Sequence, residues 1–543
     1  MDYKDLADAI YPDVKPIEYY EEKYPNRNLP EGAEVVRIGP SPTGFVHIGT
    51  LYQALINKKI ARQTNGVFFA RVEDTDQKRK VENGVNDIIN SLKLFDLNYD
   101  EGMINEEESK GEYGPYKQSQ RLEIYHSFAK YLISIGRAYP CFASAEEIEE
   151  IRKKQEAAKI MPGFYGNWSI YRNLPVDEAV ARIKNGDSFT IRLRSNGRED
   201  RKIRIKDSIK GNVDFPENFM DAVLIKADGF PVYHFAHVVD DHLMRTTTVI
   251  RGDEWMPSTP LHMELFQAFG FRPVKYAHTP TIQKIETDGK KRKISKRKDP
   301  EAAASYYREE GIPTLALKEY MMNIVNSTFE GWRRANKEAS LSDFKMELNK
   351  MNSSGAVFDM VKLLDVSKNV IARYNAEEVY NYTNEWAKEF DPELAELLKN
   401  KEYGLKVFGI ERDNSAKPRK DLAKWSEVKD SIIYMYRKPS EFDYDKISGE
   451  TLKNVIKEYI SVYDESDDKQ TWFNKMKDVA EKCGYAREVK EYKLEPEKWP
   501  GHVGDISTAI RVTITGRRNT PDLYEIMQVL GKEEVVARLN AAL

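Results

Sequence analysis

Cysteine is scarce in this sequence, and long hydrophobic runs are absent. Its 543 residues include only two cysteines, Cys141 and Cys483, which excludes a disulfide framework and a zinc site built from cysteines. The longest uncharged stretch, 38–57, is interrupted by prolines and glycines, which excludes a membrane span there. The first five residues lack an apolar run, so no signal peptide is predicted. We therefore expect a soluble, cytoplasmic protein.

Neither charge dominates the chain. It carries 84 basic and 88 acidic residues, for a formal net charge of −4, which excludes a uniformly basic surface. Any contact with nucleic acid must then come from local basic patches. With 41% hydrophobic and 32% charged residues, the composition is typical of folded globular proteins, and the length predicts about three or four domains.

Strand and helix patterns alternate over the first hundred residues. Residues 34–38 and 67–72 are predicted as short strands, and apolar residues recur at helical spacing over 51–61 and 81–95. This order predicts a parallel α/β sheet, whose ligand crevice lies at the carboxyl ends of the strands. From about residue 305 to the end, the pattern is mostly helical.

Two segments carry residues suited to phosphate chemistry. The first, 37–50, leaves a strand and enters a helix at His47-Ile48-Gly49-Thr50, where a histidine and a helix N-terminus can contact phosphate. The second, 290–298, has seven basic residues in nine positions, and Lys293 and Lys296 could neutralise a pyrophosphate leaving group. Each segment alone also fits a simpler interpretation, a strand–turn–helix joint and a solvated basic loop.

Together, His-Ile-Gly-Thr and Lys-Ile-Ser-Lys-Arg resemble the two signature sequences of class I aminoacyl-tRNA synthetases. Further segments resemble the bacterial-type glutamyl-tRNA synthetases, namely RIGPSPTG (37–44), RVEDTD (71–76), GPYKQSQR (114–121), YHFAHVVDDHLM (233–244) and VIRGDEW (249–255). Near the end of the chain, 511–516 and 521–531 resemble the last anticodon-binding helices of that family. The resemblance runs from about residue 35 to residue 543.

The resemblance implies an α/β fold with an all-α carboxyl-terminal region. The implied parts are an N-terminal extension (1–33), a Rossmann-like catalytic domain in two halves (34–110 and 221–300), an α+β acceptor-binding insertion (111–220), a helical stem-contact domain (301–400) and a helical anticodon-binding domain (401–543). The extension is a departure from the family, which usually begins close to the first strand. Gly39 is a second departure, because many relatives have alanine there.

The resemblance also implies residues that hold glutamate. Arg37 and Arg251 would grip its carboxylates, with Arg251 assigned to the side chain, because a guanidinium fork matches a carboxylate. Glu73 would take the α-ammonium group, and Ser41 and Tyr233 would add hydrogen bonds. The simpler alternatives are a salt bridge between Arg37 and Glu73 on neighbouring strands, and a core position for Tyr233.

ATP is the second implied substrate. The residues implied to bind it are His47, Gly49, Thr50, Trp255, Lys293, Ser295 and Lys296. His47, Lys293 and Lys296 would be catalytic. In the family, the glutamate α-carboxylate attacks the α-phosphorus of ATP, and the terminal ribose hydroxyl of tRNA(Glu) then attacks the adenylate carbonyl, so that positioning and electrostatics carry the rate. Mg²⁺ would be shared between phosphate oxygens.

No structural metal is expected. Asp240-Asp241-His242 is more often a helix cap or an ion-pair partner than a metal site, and Cys141 stands alone in the region where some family members carry a zinc-binding cluster. Basic candidates for tRNA contact in the helical region are 417–420, Arg437-Lys438 and Arg517-Arg518, which fit ordinary surface charge equally well. The family is largely monomeric, which implies a monomer here.

Four other functions are open to this sequence. A glutaminyl-tRNA synthetase usually has a β-barrel anticodon region, which the helical pattern after residue 400 argues against. The short paralogue that glutamylates a modified tRNA base lacks an anticodon-binding region. A synthetase-like tRNA-binding or regulatory protein without catalysis is the third alternative, and intact His47, Glu73, Arg251, Lys293 and Lys296 argue against it. A nucleotidyltransferase for a small metabolite would leave the helical region without a role.

Overall fold

The computed structural model describes residues 1–44, 46–79, 81–295, 297–413 and 415–543. Two compact units make up the fold. The first comprises Met1–Tyr306 and Lys318–Asp359, and the second comprises Tyr307–Leu317 and Met360–Leu543. The finer domain boundaries that the sequence suggests within these units stay predictions.

A parallel strand–helix–strand unit opens the first compact unit. Its elements are α1 (Tyr3–Ile10), α2 (Ile17–Lys23), β1 (Val35–Ile38), α3 (Ile48–Gln63), β2 (Val67–Ala70), α4 (Gly84–Leu94), β3 (Gly102–Met103) and β4 (Ser109–Lys110). β1 and β2 pair in parallel, with Val35 opposite Val67. All four residues of β1 are buried, as expected for a strand that is covered on both faces. The predicted parallel α/β sheet is confirmed.

A mixed segment follows and returns the chain to the sheet. Its elements are α5 (Leu122–Ser134), β5 (Ala138–Cys141), α6 (Ala145–Ala157), α7 (Val176–Lys184), β6 (Thr190–Leu193), β7 (Lys202–Asp207), β8 (Gly211–Pro216) and β9 (Val223–Ile225). β5, β6 and β9 form an antiparallel sheet. β7 and β8 form an antiparallel hairpin. The last residue of β7, Asp207, pairs in parallel with Tyr276 of strand β11 (Lys275–Thr279).

The second half of the parallel sheet comes next. Its elements are α8 (Tyr233–Leu243), β10 (Thr248–Gly252), α9 (Thr259–Phe269), β11 (Lys275–Thr279), β12 (Ile282–Ile285) and β13 (Lys291–Lys293). β10 and β11 are parallel, and the backbone N–H of Thr247 donates to Val35 O (2.9 Å), which sets β10 beside β1. The carboxyl ends of β1, β2, β10 and β11 therefore meet at one edge.

Helices make up most of the remaining chain. They are α10 (Ala304–Glu309), α11 (Thr314–Val325), α12 (Phe329–Ala335), α13 (Met360–Ile371), α14 (Ala376–Phe390), α15 (Pro392–Leu397), α16 (Lys401–Gly409), α17 (Val428–Tyr436), α18 (Gly449–Val462), α19 (Lys469–Lys482), α20 (Val489–Leu494), α21 (Val503–Thr515), α22 (Leu523–Leu530) and α23 (Lys532–Ala541). The short strand β14 (Ala356–Val357) pairs with β12. None of the described helices combines the length and hydrophobicity that crossing a membrane requires.

The buried Arg538 links two helices of the second compact unit, which is called the helical unit below. The guanidinium of Arg538 donates to the backbone oxygens of Tyr434 and Ile514, each at 2.7 Å, and so satisfies carbonyls near the ends of α17 and α21. The apolar core of this unit is formed by residues from α13 to α23, including the fully buried Val379, Ile456 and Ile510.

Candidate active site

A cleft of about 550 Å³ lies at the carboxyl edge of the parallel sheet, where the sequence predicts the ligand crevice. Ten of the predicted site residues line it. They are Arg37, Ser41, His47, Gly49, Thr50, Glu73, Tyr233, Arg251, Trp255 and Lys293. Ser295 is not part of this lining, and its backbone N–H donates instead to Asp299 (2.9 Å). Lys296 lies outside the described residues.

His47 caps the helix that opens into this cleft. It precedes α3, and its Nδ1 accepts a hydrogen bond from the backbone N–H of Gly49 at 2.9 Å. Since Nδ1 accepts that N–H, the neutral ring carries its proton on Nε2 and can donate it. A Cβ at position 49 would lie 3.0 Å from the same Nδ1, so glycine keeps the cap compact. The start of α3 thus presents a ring N–H and the positive end of a helix dipole to an anion.

Arg251 is a buried cation on the cleft wall. It lies in β10 and is only 5% exposed. The guanidinium donates to the ring nitrogen Nε2 of His278 (3.0 Å), to Tyr233 Oη (3.3 Å), to Trp255 O (3.3 Å) and to Thr259 Oγ1 (3.2 Å). Among the described residues, it forms no ion pair with a carboxylate. A buried guanidinium that has only neutral partners is costly unless a ligand supplies the missing anion.

Four histidines lie at or near Arg251, and two of them, His262 and His278, contact its guanidinium directly. Burial lowers the pKa of His234 to about 4 and that of His237 to about 3, and the pKa of His262 is well below its ordinary value for the same reason, with help from neighbouring positive charge. Burial also lowers the pKa of His278, although Asp207 opposes the shift. At neutral pH these rings act as hydrogen-bond acceptors or donors without charge.

The histidines predict a dependence of stability on pH. When folded, His237 remains neutral down to a pKa of about 3, whereas the unfolded chain takes up a proton below about 6.5. The free energy of unfolding should therefore fall as the pH drops below 6.5, by at most about 1.4 kcal/mol per pH unit for each such histidine. Urea unfolding at several values between pH 7 and pH 5 measures this slope. His237→Gln should reduce it, whereas His126→Gln, outside the cluster, should not; equal slopes in both variants would contradict the assignment.

A network of buried ion pairs fixes Arg37, which lines the cleft, in position. Asp241 accepts both Nε–H (3.2 Å) and Nη2–H (3.0 Å) of Arg37, and it also accepts Nη1–H of Arg71 (2.9 Å). Burial opposes ionisation, but the two arginines outweigh it and hold the pKa of Asp241 well below its ordinary value. Asp240 pairs with Arg121 (2.7 Å). The adjacent aspartates Asp240 and Asp241 therefore act as ion-pair partners. The salt bridge between Arg37 and Glu73 that the sequence offered as a simpler alternative is not observed, because Arg37 pairs with Asp241 of α8 instead.

Glu73 has an arginine partner that the sequence did not suggest. Its Oε1 accepts a hydrogen bond from Arg71 Nη2 at 3.0 Å. A Cβ at Gly39 would lie only 2.2 Å from this same oxygen, so the glycine leaves the space that the carboxylate occupies. Burial raises the pKa of Glu73, although Arg71 and Arg37 lower it in part. A further cation bound beside Glu73 would favour the ionised carboxylate.

The basic hairpin reaches the mouth of the cleft. Nζ of Lys293, at the end of β13, donates to Oε1 of Glu254 at 2.9 Å. The hairpin is anchored by Arg292, which donates from both Nη atoms to Asp299 (2.6 and 2.7 Å). Lys293 is thus held by one exposed carboxylate while its neighbour is fixed in place, so Lys293 can exchange Glu254 for another anion.

Sequence reasoning missed several residues of this site. Arg71, Gln118, Arg121, His234 and His237 lie within the quoted motifs, and His262 and His278 lie outside them, but none was given a role. Their signal is spatial: Gln118 Nε2 donates to Asp240 (2.9 Å) across 122 residues of sequence. Among the described residues, no group of three or more His, Cys, Asp or Glu side chains could hold a metal ion.

Known proteins match the chain over nearly its whole length. A family model described as tRNA synthetases class I (E and Q), catalytic domain, matches residues 34–365, and one described as anticodon binding domain matches residues 501–543. A glutamate–tRNA ligase of Clostridium perfringens strain 13 is 49% identical, with 99% of this chain and 100% of the relative covered. One of Acetivibrio thermocellus is 48% identical, with all of both chains covered.

A solved structure has the same fold. The crystal structure of a glutamate tRNA ligase from Elizabethkingia meningosepticum in complex with its amino acid superposes with a TM-score of 0.75 and 27% sequence identity. The alignment covers 94% of this chain and 99% of that chain.

Proposed function

The chain belongs to the class I tRNA synthetases for glutamate and glutamine, and from this membership we infer that it is a glutamate–tRNA ligase, which uses ATP to attach L-glutamate to the 3′ end of tRNA(Glu). Its full-length similarity to curated glutamate–tRNA ligases supports the choice of amino acid. The observation that carries the chemistry is Arg251, a buried cation in the cleft that has no carboxylate partner among the described residues.

Arg251 binds the side-chain carboxylate of glutamate. The geometry favours this role because the hydrogen-bond partners of its guanidinium among the described residues are all neutral, so an incoming carboxylate would supply the missing counter-charge. Glutamine would leave the cation unpaired, which disfavours it. Glu73 takes the α-ammonium group, Arg37 supports the amino-acid end of the cleft from its pair with Asp241, and Tyr233 adds its hydroxyl.

ATP binds against the start of α3. His47 donates from Nε2 to a phosphate oxygen, and Gly49 and Thr50 allow the phosphates to approach the helix N-terminus. The ring centroid of Trp255 lies 4.3 Å from that of Tyr233, and Trp255 forms part of the wall of the nucleotide site. As the α-carboxylate of glutamate attacks the α-phosphorus, Lys293 leaves Glu254 and stabilises the departing pyrophosphate. Ser295 and Lys296, which follow Lys293 in the sequence, are proposed to contribute to the same role.

Further partners complete the proposal. Mg²⁺ neutralises phosphate charge when bound, and phosphate oxygens of ATP fit it better than the described side chains, which include no cluster of three ligands. The tRNA(Glu) contacts the helical unit, whose residues 501–543 match an anticodon binding domain. Because its substrates are those of translation, the protein acts in the cytoplasm. We expect a monomer.

Lys293→Ala is expected to lower kcat by about 10- to 100-fold. The substitution removes one positive charge that stabilises the leaving pyrophosphate. The decrease in kcat should be only partial, because other basic residues of the segment 290–298 remain. Steady-state aminoacylation at saturating ATP measures it. Lys291→Ala, two residues earlier in β13 and outside the cleft, is the control and should retain wild-type rates. A similar loss in both variants would point to general damage to the hairpin.

The function itself is tested by charging purified tRNA(Glu) and tRNA(Gln) with labelled glutamate or glutamine. Glutamate on tRNA(Glu) is the expected product. Additional label on tRNA(Gln) would identify an enzyme that charges both tRNAs. Glutamine on tRNA(Gln) alone would reassign the chain to glutamine, and tRNA binding without charging of either amino acid would contradict the enzymatic function.

A further inference from the structure

Arg251 is held from behind by a chain of two side chains. Its Nε–H donates to Nε2 of His278 at 3.0 Å, and Nδ1 of the same ring lies 2.7 Å from Oδ2 of Asp207. Because the carboxylate can only accept, Nδ1 carries the ring proton and Nε2 presents its lone pair to Arg251. The neutral ring therefore has one tautomer that satisfies both neighbours.

Asp207 is itself tightly fixed. Its Oδ1 accepts the backbone N–H groups of Ile209 and Lys210, each at 2.8 Å, and its Oδ2 accepts the backbone N–H of His278 at 3.1 Å. The residue is 3% exposed. Hydrogen bonds from the backbone leave the carboxylate little freedom to turn, so the orientation of the His278 ring is set by the fold.

The turn that holds Asp207 also contacts the segment that follows Arg251 in the sequence. Nζ of Lys210 lies 3.1 Å from Oδ2 of Asp253, two residues after Arg251 in sequence. The turn between β7 and β8 thus makes two contacts near Arg251. Lys210 contacts Asp253, the residue directly after the carboxyl end of β10, and Asp207 contacts the Arg251 guanidinium indirectly, through His278. Both contacts come from a hairpin within residues 111–220, which the family resemblance predicts to be the acceptor-binding insertion.

We propose that Asp207, acting through His278, is a positioning residue for glutamate selection, because it fixes the tautomer and ring orientation that aim the Arg251 guanidinium at the substrate carboxylate. The inference rests on the proposed role of Arg251. Neither Asp207 nor His278 lines the cleft, so both act through Arg251 and touch no substrate. A misaligned guanidinium fork loses a bidentate contact that glutamate needs and glutamine does not use.

Asp207→Asn is the sharpest test, because it changes one atom. The asparagine Oδ1 can still accept the two N–H groups of the turn, but its Nδ2 then faces His278 and favours the tautomer with the proton on Nε2. That proton would oppose the Nε–H of Arg251. We expect kcat/KM for glutamate to fall by about 10- to 30-fold, mainly through KM, because a hydrogen bond to the charged guanidinium is lost. KM for ATP should change little, whereas the melting temperature should fall slightly, because Nδ2 also faces the backbone N–H of His278 that Oδ2 accepts.

A double-variant cycle separates positioning from general stability. In His278→Gln, no imidazole tautomer remains, so adding Asp207→Asn should cost little more than His278→Gln alone. Asp214→Asn is the matched control, since it makes the same substitution on β8 at a carboxylate that pairs with exposed Arg204 (2.7 Å). It should keep wild-type kinetics.

Three results would overturn the proposal. One is an unchanged KM for glutamate in Asp207→Asn, another is an equal rise in KM for glutamate and for ATP, and the third is an additive loss in the double variant. Failure of the wild-type protein to charge any tRNA with glutamate would instead remove the proposed function, and the positioning role with it. Charging by the wild type together with any of the three results would overturn the positioning role alone.

Discussion

Arg251→Gln is expected to lower kcat/KM for glutamate by about 100- to 1,000-fold, because removing one partner of a desolvated charge pair costs roughly 3–4 kcal/mol. The neutral amide also removes the basis for rejecting glutamine, so the ratio of the two kcat/KM values should narrow by a similar factor. Charging assays with both amino acids at saturating ATP and tRNA give both quantities.

The stability of the same variant should move in the opposite direction. Without substrate, Arg251 is a buried cation whose described partners are all neutral, so its removal relieves a desolvation cost. The free energy of unfolding of Arg251→Gln should therefore stay constant or rise while activity falls, as expected for a residue that serves binding at the expense of stability. Arg192→Gln, a buried arginine outside the cleft, is the control. A parallel loss of activity and stability in Arg251→Gln would indicate a packing role.

His47→Asn is expected to lower kcat by about 100- to 1,000-fold without loss of stability. Asparagine is a good N-cap, so its side-chain oxygen can replace Nδ1 as the acceptor of the Gly49 N–H. It has no group in the position of Nε2–H, so the hydrogen bond proposed for the phosphate is lost. His47→Ala should lose the cap as well, at a further cost of about 1 kcal/mol in the free energy of unfolding.

The chain contains a matched control for this prediction. His502 caps α21 in the helical unit, and its Nδ1 accepts the backbone N–H of Gly504 at 2.9 Å, the same geometry as at His47. His502→Asn and His502→Ala should therefore reproduce the stability effects and, at saturating tRNA, leave kcat unchanged, because His502 does not line the cleft. If His47→Asn kept full activity, the histidine of the first signature segment would be only a helix cap.

These two caps show how far local sequence predicts function. His-Ile-Gly at 47–49 and His-Val-Gly at 502–504 form the same hydrogen bond, because the ring of the first residue reaches the N–H two positions later. Only the first helix opens at the carboxyl edge of a parallel sheet, beside Glu73 and Arg251. The motif predicts the cap, and its place in the sheet determines whether a substrate can reach the ring.

Sequence alone predicted the first strands and helices of the parallel sheet in the first compact unit. The strand at 34–38 and the helix over 51–61 are observed as β1 and α3, because burial on both faces and helical periodicity are properties of consecutive residues. The expectation that most of the chain after residue 305 is helical is also confirmed. The motif residues that the family resemblance assigned to glutamate all line one cleft, since strand-end positions on parallel strands converge.

The tertiary structure decided the partners of the charged groups. Arg37 was considered as a partner of Glu73, but it binds Asp241, which lies 204 residues away, and Glu73 binds Arg71 instead. Asp207 and His278, 71 residues apart, meet behind Arg251 only because β7 joins β11. A sequence pattern records the local preferences of each segment, whereas an ion pair depends on which segments the sheet brings together. For this protein, the sequence determined the family and the elements, and the fold determined which charge faces which and left Arg251 without a carboxylate partner among the described residues.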